Sequence, residues 1–357
     1  MQLLISALHF DWDSIEQCLD RAANELELDG VELSLHRSMQ RPHCTLADLE
    51  ELPRASARFD LIITAHIWED LAQLGPVRGE QELLCWLDVC NKAGIGDLVV
   101  HGGSFLDRKE GLERVRDLLA RVTERLEKQD VALHIENHYA YDYQNCREVL
   151  SEPWEFVELF EAVRSPLLGF CLDVGHANMA GNTEALVRQL SGRLDYVHIA
   201  DNHGQQDDHC AYGEGTVDWP GVLGLLQETG FDGAFCIEFP VRLNMAPFGM
   251  CVTDLCERFT RDVADTSDGS GGQPKAAGPA EPLAQGDADL VTICQTTTLW
   301  DAAQVKMWLE DEGIPCAIVD SNMPIIYPLG TASMTKVQVR RGDLEAALRV
   351  LREQGRT

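Results

Sequence analysis

Residues 168–201 read LGFCLDVGHANMAGNTEALVRQLSGRLDYVHIAD, and this stretch decides the fold. The apolar run Leu168–Leu172 predicts a strand, and it is followed at once by Asp173 and His176. A helix-period segment, Thr183–Leu190, comes next, and a second apolar run, Tyr196–Ile199, carries His198. Strand, helix and strand in this order predict a parallel pair joined by a crossover helix. Potential ligands sit at the carboxyl ends of both strands.

The same unit repeats on either side. Further strands are predicted at Leu3–Leu8, Val31–Leu35, Leu61–Ile67, Leu98–His101, Val131–Ile135 and Ala234–Glu238. Helix-period segments between them include Asp13–Leu26, Glu80–Ala93, Lys109–Lys128, Glu152–Val163 and Pro220–Thr229. Eight strands alternating with helices predict a closed (β/α)8 TIM barrel over residues 1–262. Local signals agree: Asp218 can cap the helix that opens with Pro220 in its first turn, and Gly230 ends it. An open doubly wound sheet is the competing architecture. It gives no reason to place ligands on strands three through eight in succession.

Nine potential metal ligands follow these strands. They are His66 in LIITAHI, His101 in LVVHGG, Glu136 in VALHIENH, Asp173 and His176 in FCLDVGH, His198 in YVHIAD, Asp207 and His209 just beyond, and Glu238 in FCIEF. One His or Asp at a strand end is commonly a hydrogen-bonded polar residue. The repeated position is what implies a divalent-metal site, because a barrel converges side chains from different strand ends on one point. Imidazole and carboxylate together suit zinc, manganese, iron or cobalt better than calcium.

Composition bounds the function. The chain has 357 residues and a formal net charge of -30, most of it in residues 1–264. Nucleic-acid binding relies on Lys and Arg neutralising phosphates, so so acidic a chain disfavours that partner. No apolar run reaches the ~20 residues of a membrane helix. MQLLISALHF reads as a first strand rather than a signal peptide. The 12 Cys form no CxxC pair, and Cys171, Cys236 and Cys294 lie inside apolar strands. Free thiols in a reducing cytoplasm are expected. A homo-oligomer is compatible with all of this.

Residues 263–288 are rich in Gly, Ala, Pro, Ser and Asp without period, which predicts a flexible linker. The remainder, 289–357, predicts a small α+β domain of ferredoxin-like type. Its strands are Leu290–Cys294, Cys316–Asp320 and Lys336–Val339, and its helices Trp300–Glu312 and Asp343–Glu353. DLVTICQTTTLWDAAQVKMWLEDEGIPCAIVDSN followed by KVQVRRGDLEAALRVL resembles a small prokaryotic family described as signal-transducing domains.

Residues 1 to about 260 resemble the xylose-isomerase-like superfamily, which groups sugar and sugar-phosphate isomerases and epimerases with endonuclease IV. HIENH, LDVGH, VHIADNHG, DDHCAYGEGTVDW and IEF carry the resemblance. It implies that Glu136, Asp173, His198 and Glu238 hold a metal (Zn, Mn or Co), and that His176 meets a substrate oxygen. On this reading the protein is a metal-dependent sugar or sugar-phosphate isomerase or epimerase. Glu136 and Glu238 double as the acid/base pair for proton transfer beside a carbonyl, through an enediolate. His9 and Arg242 are further substrate-contact candidates; a solvated Arg past a strand is equally compatible with the sequence.

The fuller ligand set matches endonuclease IV. There His66, His101 and Glu136 would hold one zinc, Glu136 bridging to a second, and His176, Asp207 and His209 a third, for hydrolysis of a phosphodiester. A non-catalytic metal or metabolite sensor is the third reading. Smaller expectations follow for other residues. His134 reads as a hydrogen-bonded core residue, and His138 as either a neighbour of the ligands or exposed. Asp201 is a candidate to orient a ligand histidine. Trp68 and Phe105 read as an apolar face or core, Trp219 as packing, and His36, His43 and His203 as loop residues.

Overall fold

A computed structural model describes residues 1–140, 142–143, 146–242, 244–259, 290–296, 305, 309, 313–319 and 335–353. The chain separates into two compact units, Met1–Arg261 and Asp262–Thr357.

In the first unit, eight strands close a barrel: β1 (Gln2–Ser6), β2 (Gly30–Leu35), β3 (Ile62–Ile67), β4 (Asp97–His101), β5 (Ala132–Glu136), β6 (Leu168–Asp173), β7 (Leu194–Ile199) and β8 (Ala234–Ile237). Each pairs in parallel with its sequence neighbour, and β8 returns to β1 through Gln2 against Ala234. The predicted strands are all present, with ends shifted by one or two residues.

Side-chain parity divides every strand in two. One set faces the helices: Leu33, Ile63, Ala65, Ile135, Leu172, Val197 and Phe235 belong to the large apolar cluster that also buries Leu118, Val122, Leu159 and Leu226. Full burial of such a Leu or Ile is worth about 1.5–3 kcal/mol. The other set faces the barrel axis. Leu4, Val99, Cys171, Tyr196, Ala234 and Cys236, with Ile62, fill the interior as a separate cluster. The Tyr196 hydroxyl is tied to Thr64 Oγ1 at 2.8 Å. The barrel is therefore a packed core rather than a pore, and its chemistry is confined to one end. At the opposite end Gly169 makes room for His134, whose Nε2 meets Asp97 Oδ1 at 2.8 Å; a Cβ on Gly169 would stand 2.7 Å from His134 Nδ1. His134 is thus the hydrogen-bonded core residue that was expected.

The helices depart from expectation in identifiable ways. The helix expected from Glu80 begins at Leu71 and runs to Ala93. It bends at Gly75, with φ 68° and ψ -179°, a conformation that excludes side chains. The Arg114 guanidinium bonds the carbonyls freed there, Ala72 O at 2.7 Å and Gln73 O at 3.0 Å. The first helix is Ile15–Asp20, continued as a wider turn over Arg21–Glu25. Three helices had no sequence expectation: Leu46–Ser56, Val174–Ala180 and Met245–Phe259. The first is closed by a Thr45/Asp48 capping box. The expected Asp218 cap is present, accepting from Gly221 N, and Gly230 follows the helix with φ 76°.

The second unit contains a three-stranded antiparallel sheet of β9 (Leu290–Thr296), β10 (Cys316–Val319) and β11 (Thr335–Arg340), with β11 central, and a helix over Leu344–Glu353. Val337, Val339, Ala347, Val350 and Leu351 bury its own apolar cluster. The expected linker 263–288 and most of the expected helix Trp300–Glu312 lie outside the described residues. All 12 Cys are free thiols. No helix among the described residues is long and apolar enough to cross a membrane.

Candidate metal centre

The last axis-facing position of each strand is polar. Parity carries Val99 to His101, His134 to Glu136, Cys171 to Asp173, Tyr196 to His198 and Cys236 to Glu238, all at the carboxyl end of the barrel. These side chains are buried together with His66 and His176. Glu136 is their hub. Its Oε2 lies 3.1 Å from His101 Nε2 and 3.4 Å from His66 Nε2, and its Oε1 lies 3.4 Å from His198 Nδ1 and from His176 Nδ1. Glu238 Oε2 reaches the same His198 Nδ1 at 3.4 Å. Asp173 caps the Val174–Ala180 helix, accepting from His176 N, and Asn137 bonds both the Asp173 amide and its carbonyl. A second cluster continues outward: Asp207 Oδ2 lies 3.3 Å from both His176 Nε2 and His209 Nε2. His209 donates Nδ1–H to Glu238 O at 2.6 Å and stacks on His9 at 5.2 Å. The structure thus brings all nine expected ligands, and His9, to one mouth.

Arg242 is placed differently. Its Nη1 meets Asp11 Oδ2 at 2.8 Å, and its side chain is half exposed. Asp201 does not orient a histidine in its hydrogen bonds. It accepts from Gly213 N, Val217 N and Trp219 Nε1 at 3.0–3.1 Å, and so builds the loop between β7 and the next helix. The orienting carboxylate is Glu32, which the sequence reading missed. Its Oε2 is 2.9 Å from His198 Nε2, and both side chains have no solvent exposure. With Nε2 bonded to Glu32, the His198 Nδ1 faces Glu136 and Glu238, the arrangement in which an outer carboxylate fixes an imidazole's orientation. His138, left open by the sequence, is buried, with its ring 4.3 Å from that of His176 and 5.2 Å from that of His101. Trp68 stacks on His66 at 5.3 Å, whereas Phe105 packs beneath Arg114. Trp219 is buried, as expected for packing, and His203 is exposed.

Electrostatics separates the carboxylates. Burial pushes Glu238 up to about 8, with Glu32 and Glu136 adding to the effect against His198. Burial also raises Asp173. Burial would raise Glu136 too, but His101, His198 and His66 around it hold it well below the ordinary range.

Four buried atoms at the centre, His66 Nε2, His101 Nε2, His198 Nδ1 and Glu136 Oε2, make no hydrogen bond. Buried polar atoms without partners are costly. Several that converge, in a mixture of imidazole nitrogen and carboxylate oxygen, form a donor set that fits a divalent cation. The groups close enough to share an ion include His66–His101–Glu136 and Glu32–His66–His198–Glu238.

Comparison with known proteins agrees with this architecture. An uncharacterized protein of Methanocaldococcus jannaschii is 35% identical over 150 residues, 40% of this chain and 50% of that protein. The "Probable endonuclease 4" of Mycobacterium leprae is 28% identical over 142 residues, 37% of this chain and 53% of that protein. The matches span about half the length of these curated relatives. Among solved structures, a D-tagatose 3-epimerase-like protein superposes with a TM-score of 0.60 at 24% identity, covering 72% of this chain and 97% of that one. The IOLI protein with a binding zinc atom gives 0.60 at 16%, covering 73% and 100%. Residues 21–249 match the family model described as xylose isomerase-like TIM barrel, and the chain belongs to that family.

Proposed function

We propose that this protein is a divalent-metal-dependent isomerase or epimerase of a sugar or sugar phosphate that works by proton transfer beside a carbonyl. The observation that carries the reading is the approach of two carboxylates of opposite character, Glu136 from β5 and Glu238 beyond β8, to one imidazole nitrogen at 3.4 Å each. Glu136, Asp173, His198 and Glu238 would hold the cation as zinc, manganese or cobalt. When bound, it supplies Lewis-acid stabilisation of negative charge on substrate oxygens.

The chain's own residues would do the rest. Glu136, kept ionised by its histidines, would take the proton from the carbon beside the carbonyl. Glu238 would act as its partner in proton transfer from the other side of the substrate. His176 would hold a substrate oxygen, its ring fixed by the Nδ1–H bond to Asn137 O at 2.9 Å. His9 would line the mouth, and Trp68 would offer an apolar face to the sugar ring. Arg242 is held by Asp11 through Nη1, so a role toward a substrate phosphate would compete with that pair.

The names of the solved structures with this fold, a D-tagatose 3-epimerase-like protein and a zinc-bound relative among them, support the reading. A cytoplasmic location, a homo-oligomer, exclusion of nucleic acid, and a ferredoxin-like, signal-transducing-type domain at 289–357 beyond a linker belong to the same reading. For the last, the antiparallel sheet and helix of the second unit are the support.

The test is incorporation of solvent deuterium into ketoses and their phosphates by protein reconstituted with manganese, cobalt or zinc. Glu238→Gln should slow the exchange about 100-fold or more. Unchanged exchange in that variant would sink the reading.

A second reading keeps a specific observation in its favour. His66 and His101 point Nε2 at one oxygen of Glu136, and His176 and His209 at one oxygen of Asp207. That is the arrangement of a three-zinc phosphoesterase. Elemental analysis decides between the two: three zinc ions per chain, one of them lost in Asp207→Ala, would favour hydrolysis.

A further inference from the structure

The loop between β7 and the helix Trp219–Glu228 carries Asp207 and His209 to the barrel mouth, and it carries three further ligand-type side chains that no reading above uses. Asp201 and Cys210 exchange backbone hydrogen bonds at 3.0 and 2.8 Å, which closes residues 202–209 into a loop. Gly204, with φ 76°, turns the chain directly after His203. The loop so folded brings His203 back to Asp208 and Cys210. One ligand atom of each, an imidazole nitrogen, a carboxylate oxygen and a thiol sulfur, lies within 4.8 Å of the other two. His203 is exposed, and Asp208 and Cys210 are partly buried. Among the described residues, none of the three side chains has a hydrogen bond or an ion pair. Their neighbours in the chain turn elsewhere. Asp207 meets His176, and His209, in the left-handed region at φ 44°, bonds Glu238 O. Alternate residues of 207–210 therefore serve two different clusters. A thiol, an imidazole and a carboxylate that converge without bonding one another add no hydrogen bond to the fold, but around a cation they are three donors.

We infer that His203, Asp208 and Cys210 form a second cation site, for zinc or a chemically similar transition metal, on the loop that delivers Asp207 and His209. Donors around one tetrahedral zinc, at about 2.0–2.3 Å from it, stand roughly 3.5 Å apart, so side-chain rotation is enough to close the set. Its composition sets what it takes. A thiolate and an imidazole select zinc or cobalt, whereas manganese and magnesium prefer carboxylate, carbonyl and water oxygens. The thiol proton leaves to solvent as the metal–sulfur bond forms. Three protein ligands leave the fourth position to water. The ion would tie the two limbs of the loop together and so fix the backbone that carries Asp207 and His209.

The site shares no residue with the centre at the mouth, so it does not rest on the proposed function. It is tested on the reduced full chain, stripped with chelator, titrated with cobalt(II) and followed by absorption. Charge transfer from sulfur to cobalt requires a cysteine ligand, and the Glu136–Asp173–His198–Glu238 set has none. The wild type should show that band in the near ultraviolet. Zinc should abolish it, and manganese should leave it in place. Cys210→Ser should lose it, and His203→Ala should move its half-saturation to higher cobalt. Cys171→Ser, which alters the buried thiol within reach of Glu136 and His198, should retain it. A wild type without the band overturns the site. So does a band that survives Cys210→Ser or vanishes with Cys171→Ser. If Cys210→Ser does not fold, an unmoved half-saturation in His203→Ala overturns the site instead. A band tied to Cys210 without proton exchange would keep this site and sink the proposed function; proton exchange without the band would do the reverse.

Discussion

Glu32 shows how much one buried carboxylate can decide. Burial by itself would raise it, but His198 at 2.9 Å brings it below its ordinary range. It is the partner that aims His198 at the centre. Glu32→Ala should weaken manganese binding about 10–100-fold, the usual effect of losing a partner behind a metal-binding histidine. Glu32→Gln retains an oxygen that can accept from Nε2–H and should recover part of that affinity. Calorimetric titration of the metal-free variants measures both; equal affinities for Ala, Gln and wild type would show that Glu32 merely packs. Six of the nine candidate ligands were legible because each ends an apolar run, with His176, Asp207 and His209 following close behind, whereas Glu32 sits inside one, in GVELSL. Counting inward positions by twos, Gly30, Glu32 and Ser34, would have found it. Asp201 misled for the converse reason: it follows a strand that bears a candidate ligand, but its hydrogen bonds go to the loop after it, at Gly213, Val217 and Trp219.

At the scale of elements, the strands were readable because a barrel strand buried on both faces is a short, dense apolar run. Helices were readable where they show one long apolar face, as in Arg108–Gln129, and not where they are short or interrupted. Gly75-Pro76 looks like a break in the sequence, and the helix does kink there, with Arg114 bonding the carbonyls freed at the kink. Gly75→Ala should destabilise the protein by about 1–3 kcal/mol in urea unfolding, the cost of a side chain in that backbone region. A smaller loss would mean the backbone relaxes there. The Thr45/Asp48 capping box carries a pH signature. Burial opposes the charge on Asp48, but bonds from Arg41 and Thr45 hold its carboxyl below the usual range. A carboxyl depressed on folding stabilises fully above its unfolded value, near ~4, and that contribution is lost as pH falls through the folded one. Wild type should therefore lose stability more steeply than Asp48→Asn below about pH 4. Parallel acid limbs in urea midpoints would show that the box adds nothing.

At the scale of the molecule, the chain carries a formal net charge of -30, and on the proposed reading the barrel mouth takes in a sugar or its phosphate. Such a charge repels anions at long range, and salt screens it. The second-order rate constant for a phosphorylated sugar should rise as ionic strength increases from low values to ~0.15 M, while that for the unphosphorylated sugar stays level. A fall with salt for the phosphate would reveal a local cationic funnel that outweighs the net charge.

The alternation within the strands reaches further still. In each one, scaffold and mouth are written in different letters: Ile135, Leu172 and Val197 hold the wall, while Glu136, Asp173 and His198 form the polar cluster at the mouth. A library that randomises only the last inward letter of each strand should express folded protein with altered chemistry. One that randomises the letter before it should yield little soluble product. The barrel thus keeps its inventiveness and its robustness on separate mutational axes, so selection can search one without spending the other.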